Sequence, residues 1–406
     1  MKILVLNSGS STQKSALFEL GADSAPDQAA PPLWEGRLEW DGGKETLSLR
    51  TAGGKKIQAA RETPSGGRSA SLRAMLGNLW TGEAAVVSSP EEIDLIGHRI
   101  VHGGARLSEP VVIDSEVTET IAGVAEIAPL HNQSGLEGIQ MAEALFPGRP
   151  QVAVFDTGFH RTLPPAALVY PGPYEWLERG IRRYGFHGIN HEYCAKRAAR
   201  LLRREASRLR IVTCHLGNGC SLAAVAGGRS LDTTMGFTPL EGLMMGTRSG
   251  SIDPGILVHL LRQETASGPG LDNILNHRSG LLGISGVSSD MRDVLQAANE
   301  GNPRAKLAFD IFVHRLVTGM AAMTASLGGV DAIVFTAGIG ENSAEVREAA
   351  CARLGFLGIE LDPEKNRSRQ PDDLDIASAD SRVRVLVIRA QEDWAIAREC
   401  VRLSPK

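Results

Sequence analysis

Two arginines in this chain sit among glycines. Arg99 lies in Gly97-His98-Arg99-Ile100-Val101-His102-Gly103-Gly104, and Arg248 lies in Met244-Met245-Gly246-Thr247-Arg248-Ser249-Gly250. Arginine's planar fork matches a carboxylate or phosphate, and glycine lets the backbone come close to such an anion. A structural ion pair is an equally good reading of Arg99 on its own. Arg248 has little apolar cover in sequence, and a second arginine at one anion site would spread the equatorial charge of a transferring phosphoryl group. Asp156 ends the apolar run 151–155, where an α/β sheet places site residues, though it could equally cap the next segment. Asn7 opens a turn carrying Ser8, Ser10, Ser11 and Thr12 ahead of Gln13-Lys14. Those hydroxyls suit phosphate and Asn7 a metal-bound water, but a plain hairpin turn has the same composition. His187 and His191 are spaced i, i+4; zinc would need a nearby acidic ligand, so an imidazole N–H donating to an oxyanion fits better. Asp290 could accept from a ribose hydroxyl. Glu392 and Asp393 could hold Mg²⁺ through water or simply favour a helix N-terminus.

The elements that must position these groups repeat. Residues 4–20 and 211–228 both read as apolar strand, tight Gly/Ser turn, apolar strand, with turns at residues 7–11 and 215–219. Such turns converge N–H groups and hydroxyls on an anion, and two of them imply a duplicated domain. A third Gly-rich turn, residues 336–342, follows the apolar run 331–335. Helical spacing predicts helices over 115–127, 134–145, 191–209, 305–327 and 393–403. Residues 21–32 and 53–67 read as surface loops. Residues 231–253, rich in Gly, Thr, Met and Ser, read as a long ordered loop with a function. Strands alternating with helices give an α/β class. The domains expected are 1–155 with 393–406, and 156–392.

Composition narrows the function. The 406 residues exceed one ordinary core, and a formal charge of −4 without a basic run argues against nucleic acid as a partner. No charged leader or long apolar stretch predicts a signal or membrane span. Five cysteines without a CxxC pair suit a reducing cytoplasm and read as small buried thiols. Neither GxxxxGK[ST] nor GxGxxG occurs, so neither a P-loop nor a Rossmann fingerprint is present.

Taken together, the motifs resemble the acetokinase family of the actin-like, sugar-kinase and Hsp70 ATPase superfold. The blocks are NSGSSTQK from Asn7, GHRIVHGG from Gly97, APLHN from Ala128, FDTGFH from Phe155, RRYGFHG from Arg182, CHLGNGCS from Cys214, the stretch from Leu231 to Gly255, SGVSSDMRDV from Ser285 and TAGIGEN from Thr336. The resemblance implies two duplicated actin-like (ribonuclease H-like) α/β domains with an active-site cleft between them. It implies reversible phosphorylation of acetate to acetyl phosphate by ATP, dependent on Mg²⁺ (Mn²⁺ as an alternative), in a cytoplasmic homodimer. By position, Arg99 and Arg248 would hold the carboxylate and the phosphoryl group, His187 would bond its equatorial oxygens, and His131 and His215 would line the site. Asp156 would be the catalytic carboxylate, and Asn7 and Glu392 would place the metal. Val101, Leu130, Phe186 and Pro239 would surround the methyl group. Lys14, His215, Gly217, Asn218, Gly219, Asp290, Met291, Arg292, Gly338, Ile339, Gly340 and Asn342 would receive ATP. Ser251 and Ala390-Gln391 depart from the family pattern, which bears on loop and metal geometry. A kinase preferring propionate or butyrate is the second reading. An actin-like filament or Hsp70-like binding module would share the superfold without needing paired arginines.

Overall fold

The first apolar run, buried almost throughout, becomes the central strand of a sheet. In this computed structural model β1 (Lys2–Ser8) pairs antiparallel with β2 (Thr12–Glu19), followed outward by β3 (Trp34–Asp41), β4 (Lys44–Thr51) and β5 (Lys56–Glu62). On its other side β1 runs parallel to β6 (Leu95–Ile100). Beyond the short β7 (Val111–Val112), β8 (Gln151–Phe155) lies parallel to β6, giving the order β5-β4-β3-β2-β1-β6-β8-β7. The structure describes residues 1–9, 12–21, 29–41, 43–124, 129–263, 267–368 and 372–404, without the side chains of 129–131. Ser10, Ser11 and the side chains of Leu130 and His131 therefore lie outside the described residues, as does most of the expected loop 21–32.

A second sheet is ordered β11-β10-β9-β12-β14-β13, from β9 (Arg210–Leu216), β10 (Cys220–Ala226), β11 (Arg229–Thr233), β12 (Ala332–Thr336), β13 (Leu374–Asp375) and β14 (Arg384–Val387). Here β9, β10 and β11 are antiparallel, while β12 and β14 run parallel to β9. The path β3-β2-β1-β6-β8 therefore recurs as β11-β10-β9-β12-β14, with the same order and sense. The duplication implied by the two glycine turns is a duplication of topology.

By contacts the chain divides into Met1–Gly158 with Gln391–Lys406, and Phe159–Ala390. These limits differ from those expected by a few residues, and they place Asp156 and Glu392 in the first unit. The Asp156 N–H extends the β6–β8 pairing by donating to Ile100 O. Glu392 starts the helix Glu392–Leu403, which packs on β1, β2, β6 and β8. Gly97 permits that packing, because a Cβ there would stand 2.7 Å from both Ile396 and Cys400. In the second unit the helix Pro303–Ser326 is long and apolar enough to cross a bilayer, but it buries Phe312, Leu316, Met320 and Met323 and packs against β9, β10 and β11.

Two local expectations need correction. Residues 56–62 form an exposed edge strand, not a loop; its polar run lacks alternation because little of either face is buried. The basic helix spans Gly188–Leu201 and stops before Arg203, whose φ of 53° is left-handed. The five cysteines are buried and form no disulfide.

Buried His98 donates to Gln151 Oε1 across 2.7 Å, and burial pushes it down to about 4. The unfolded chain therefore takes up the proton first. Stability from neutral His98 is complete above its ordinary value near 6.5 and is lost as pH falls toward 4. Urea midpoints should decline over that window, and His98→Asn should flatten the decline while lowering the midpoint at pH 7.

Candidate active site

In the first unit, strand register gathers the expected groups. Asn7 pairs with Arg99 across β1 and β6, and Ile100 with Phe155 across β6 and β8, so Asn7, Arg99 and Asp156 share the carboxyl ends of parallel strands. Arg99 Nη2 donates to Asp156 Oδ2 at 2.7 Å, with the two side chains 14% and 1% exposed. Arg99 thus forms an ion pair at the strand ends, one of the two readings its sequence allowed. Burial would lower the Arg99 pKa; Asp156, Glu392 and Asp393 outweigh it and hold the group above its ordinary value. Its Nε is buried without a hydrogen-bond partner among the described residues, so the fork has donor capacity left for an anion. Asn7 Nδ2 donates to Asp393 Oδ1 at 2.8 Å and Glu392 Oε2 at 3.3 Å. Burial raises the Asp393 carboxyl and Glu392 adds to this, while Lys14, Asn7 and Arg99 oppose it. Val101 is buried close to Arg99 in sequence.

The second unit carries the other group. Loop 234–253 is irregular yet pinned along its length. Arg183 Nη1 donates to the carbonyls of Thr233, Thr234 and Met235 at 2.9–3.2 Å, and its Nη2 to Glu241 at 2.7 Å. Gly246 N donates to Asn218 O, Leu281 N to Met245 O and Ser279 N to Thr247 O. Ser251, where the family pattern differs, exchanges two hydrogen bonds with Gly242. Arg248 is thereby held in a stiff loop, with Nη1 3.4 Å from Pro239 O. Burial lowers its pKa against the opposing Cys220, and among the described residues no carboxylate pairs with it. Burial pushes the Cys220 thiol up to about 12, so it is no nucleophile.

His187 faces the same place. It caps the helix Gly188–Leu201 in a left-handed conformation, φ 57°, which a non-glycine residue rarely adopts. Its ring stacks on His215, centroids 3.9 Å apart. Asn190 donates to His215 Nδ1 at 2.8 Å, which leaves the His215 proton on Nε2. A Cβ on Gly219 would stand 3.5 Å from His187 Nε2 and 3.5 Å from Arg248 Nη1. Gly219 thus floors a cradle walled by an imidazole and a guanidinium. A methyl group fits there in ordinary contact, so Gly219→Ala should leave the melting temperature unchanged. It should lower kcat by roughly 10²-fold by displacing whatever the two donors hold.

The other expected residues divide by position. Phe186 is buried and Pro239 half-buried, the latter meeting Arg248 through its carbonyl. Gly217, Asn218 and Gly219 form the turn between β9 and β10, with Asn218 exposed. Gly338 and Asn342 are exposed on the short helix Ala337–Asn342, Ile339 is half-buried, and Gly340 is buried. Glu341 accepts from Ala337 N and Ala390 N, tying that turn to the end of β14's loop. Asp290 caps the helix Met291–Asn299 and pairs with Arg292, so its carboxylate is already engaged; the Met291 side chain is buried, leaving its backbone for any ligand. Of the residues that hold the histidines and the loop, Thr213 and Asn190 lie outside the quoted motifs, and Arg183 and Ser221 lie inside them without having been given that role. The one available signal was hydroxyls at alternating strand positions opposite an i, i+4 histidine pair.

Residues 2–398 match the acetokinase family. The chain belongs to the acetokinase family. It is 57% identical over 403 residues to the acetate kinase of Gloeobacter violaceus, covering 98% of each chain, and 56% identical to that of Trichormus variabilis. Among solved structures, Porphyromonas gingivalis acetate kinase matches at 39% identity with a TM-score of 0.89, covering 99% of each chain. A propionate kinase from Francisella tularensis matches at 38% with a TM-score of 0.88, covering 99% of this chain and 100% of that one. The two-unit α/β architecture of the acetokinases is that expected from the sequence.

Proposed function

We propose that the chain is an ATP-dependent kinase of short carboxylates, with acetate preferred, that makes acetyl phosphate reversibly by direct in-line transfer. The observation that carries this reading is the Gly219 cradle, where Arg248 Nη1 and His187 Nε2 stand equally far from one open point, with no carboxylate among the described residues paired to the arginine. Such donors stabilise charge on equatorial phosphoryl oxygens. Arg99, oriented by Asp156, is assigned to the acetate carboxylate. Acetate is already an anion, so Asp156 is not needed as a strong base; it fixes the arginine and balances its charge. The turns at Gly217–Gly219 and at Gly338–Asn342, with Asp290, Met291 and Arg292, are assigned to the nucleotide.

The residues present fit a hard divalent cation such as Mg²⁺ or Mn²⁺. Asn7, Glu392 and Asp393 offer amide and carboxylate oxygens, and near them Arg99 and Lys14 face three carboxylates, those of Asp156, Glu392 and Asp393. The ion, when bound, would neutralise phosphate charge on the nucleotide. Purified protein with ATP, Mg²⁺ and acetate should yield ADP and an acyl phosphate trapped by hydroxylamine; absence of both overturns the reading.

Similarity to a propionate kinase supports a second substrate. Val101, Phe186 and Pro239 are assigned to the methyl end, where one methylene is worth only about 1–3 kcal/mol. Propionate should therefore be used at a lower kcat/KM, and a ratio above one would make it the preferred substrate.

A cytoplasmic homodimer is part of the same proposal. The helix Pro254–Arg262 buries none of its residues, and Ile256, Val258 and Leu261 are 45–47% exposed. An apolar helix so uncovered suits a second copy of the chain. Ile256→Asp with Leu261→Asp should give half the wild-type mass by light scattering, and an unchanged mass would remove this helix from the interface.

A further inference from the structure

Behind His187 the second unit holds a line of hydrogen bonds for which the transfer step has no direct use. Thr213 Oγ1 lies 2.7 Å from His191 Nδ1, His191 Nε2 lies 2.7 Å from Ser221 Oγ, and Ser221 Oγ lies 2.9 Å from His187 Nδ1. Thr213, His191 and Ser221 are completely buried. Secondary structure sets the line: the helix Gly188–Leu201, packed on β9 and β12, carries His191 one turn after His187, where its ring reaches Thr213 on β9 and Ser221 on β10. The far end of the line is His187 Nε2, beside Gly219 and Arg248.

The protons in this line can be placed by elimination. Each hydroxyl has one proton to donate, and a neutral imidazole has one N–H and one acceptor nitrogen. Burial drives His191 well below its ordinary value, with His160 and His215 adding to the effect, so its ring is neutral. Thr213 decides the direction. Its hydroxyl has no partner other than His191 Nδ1 among the described residues, and a buried hydroxyl proton without an acceptor is unfavourable. Thr213 therefore donates to Nδ1, which leaves the His191 proton on Nε2, where it is donated to Ser221 Oγ. The Ser221 proton then has one acceptor, His187 Nδ1. His187 is left with its own proton on Nε2, on the side of the cradle. The opposite direction would strand the Thr213 proton and aim a lone pair at the bound anion.

We infer that Thr213, His191 and Ser221 are positioning residues that set the tautomer of His187, so that it presents an Nε2–H to the phosphoryl oxygens. The benefit to catalysis rests on the role given to His187 under the proposed function; the tautomer itself does not, and this separates the two in experiment.

Thr213→Val removes the hydroxyl with little change of shape, and its site is remote from any substrate. Ring ¹⁵N spectra of the ligand-free protein should show wild-type His187 protonated at Nε2 alone, and Thr213→Val as a mixture of Nε2–H and Nδ1–H forms. The variant's kcat should fall about 10-fold, less than the roughly 10²-fold for complete loss of an oxyanion donor, with KM values held within about two-fold. Thr213→Ser should restore the wild-type spectrum and rate. Should Thr213→Val not fold, Ser221→Ala provides the same spectral comparison from the next link. Wild-type His187 protonated at Nδ1 would overturn the inference, as would a pure Nε2–H spectrum with wild-type kcat in the variant. A spectrum as inferred in a protein with no acetate-dependent turnover would sustain the tautomer and sink the kinase reading instead.

Discussion

Arg248→Ala should lower kcat for acyl phosphate formation by about 10³-fold or more, while the protein melts at or above the wild-type temperature. The two halves of this expectation have one cause. Burial lowers the Arg248 pKa, and no carboxylate among the described residues offsets that burial, so the folded protein gains nothing from the charge. A cation kept at a cost to its own solvation, in a loop fixed by backbone bonds with Asn218, Leu281 and Ser279, is what the proposed anion clamp requires. Removing it should leave the loop's hydrogen bonds in place. Arg248→Lys supplies a point charge without the planar fork and should recover no more than about 10-fold of the loss. Steady-state assays beside a thermal melt decide the matter: activity within about 10-fold of wild type in the alanine variant would remove Arg248 from the clamp, whatever the melt shows.

Much of this was legible in the sequence, for identifiable reasons. Asp156 could be placed at a strand end from the sequence, and the family resemblance put Arg99 and Asn7 in the same site; the strand register is what makes the three neighbours. The duplication could be proposed because the two hairpins share a plan. Strands β3 and β4 show the limit of a search for motifs: their buried–exposed alternation was available, but they belong to none of the quoted motifs and went unread. The edge strand β5 gives no alternation at all, since solvent reaches most of it. The Thr213–His191–Ser221–His187 line was hidden for a different reason. Hydroxyls on strands are usually structural, and only the docking of the helix Gly188–Leu201 against this sheet makes these four contiguous. At Asp290 the motif gave no sign that the same carboxylate caps a helix and pairs with the arginine two residues on.

The second large effect concerns the Arg99–Asp156 pair, where stability and catalysis should separate. Asp156→Leu would leave Arg99 buried, with an Nε that already lacks a partner and only Glu392 and Asp393 to balance it. Arg99→Met would leave Asp156 beside those two carboxylates with Lys14 as the remaining cation near Asp393. Each single change should cost about 3–5 kcal/mol in urea unfolding, the usual result of stranding one member of a buried pair. The double variant Arg99→Met with Asp156→Leu strands neither and should recover at least half of that loss. Activity should not follow: all three variants lack the oriented guanidinium and should fall by roughly 10³-fold or more. The contrast decides what the pair is for. If the double variant regained turnover along with stability, the pair would be a structural brace and the acetate carboxylate would have to be held elsewhere. If stability returns and turnover does not, the energy stored in placing two charges at the carboxyl ends of β6 and β8 serves the substrate. Asp156→Asn refines the answer, since the amide oxygen still accepts from Arg99 while the charge is gone. Retained stability with reduced kcat in that variant would assign Asp156 the task of balancing Arg99 before the anion arrives, a task that requires no proton transfer from acetate.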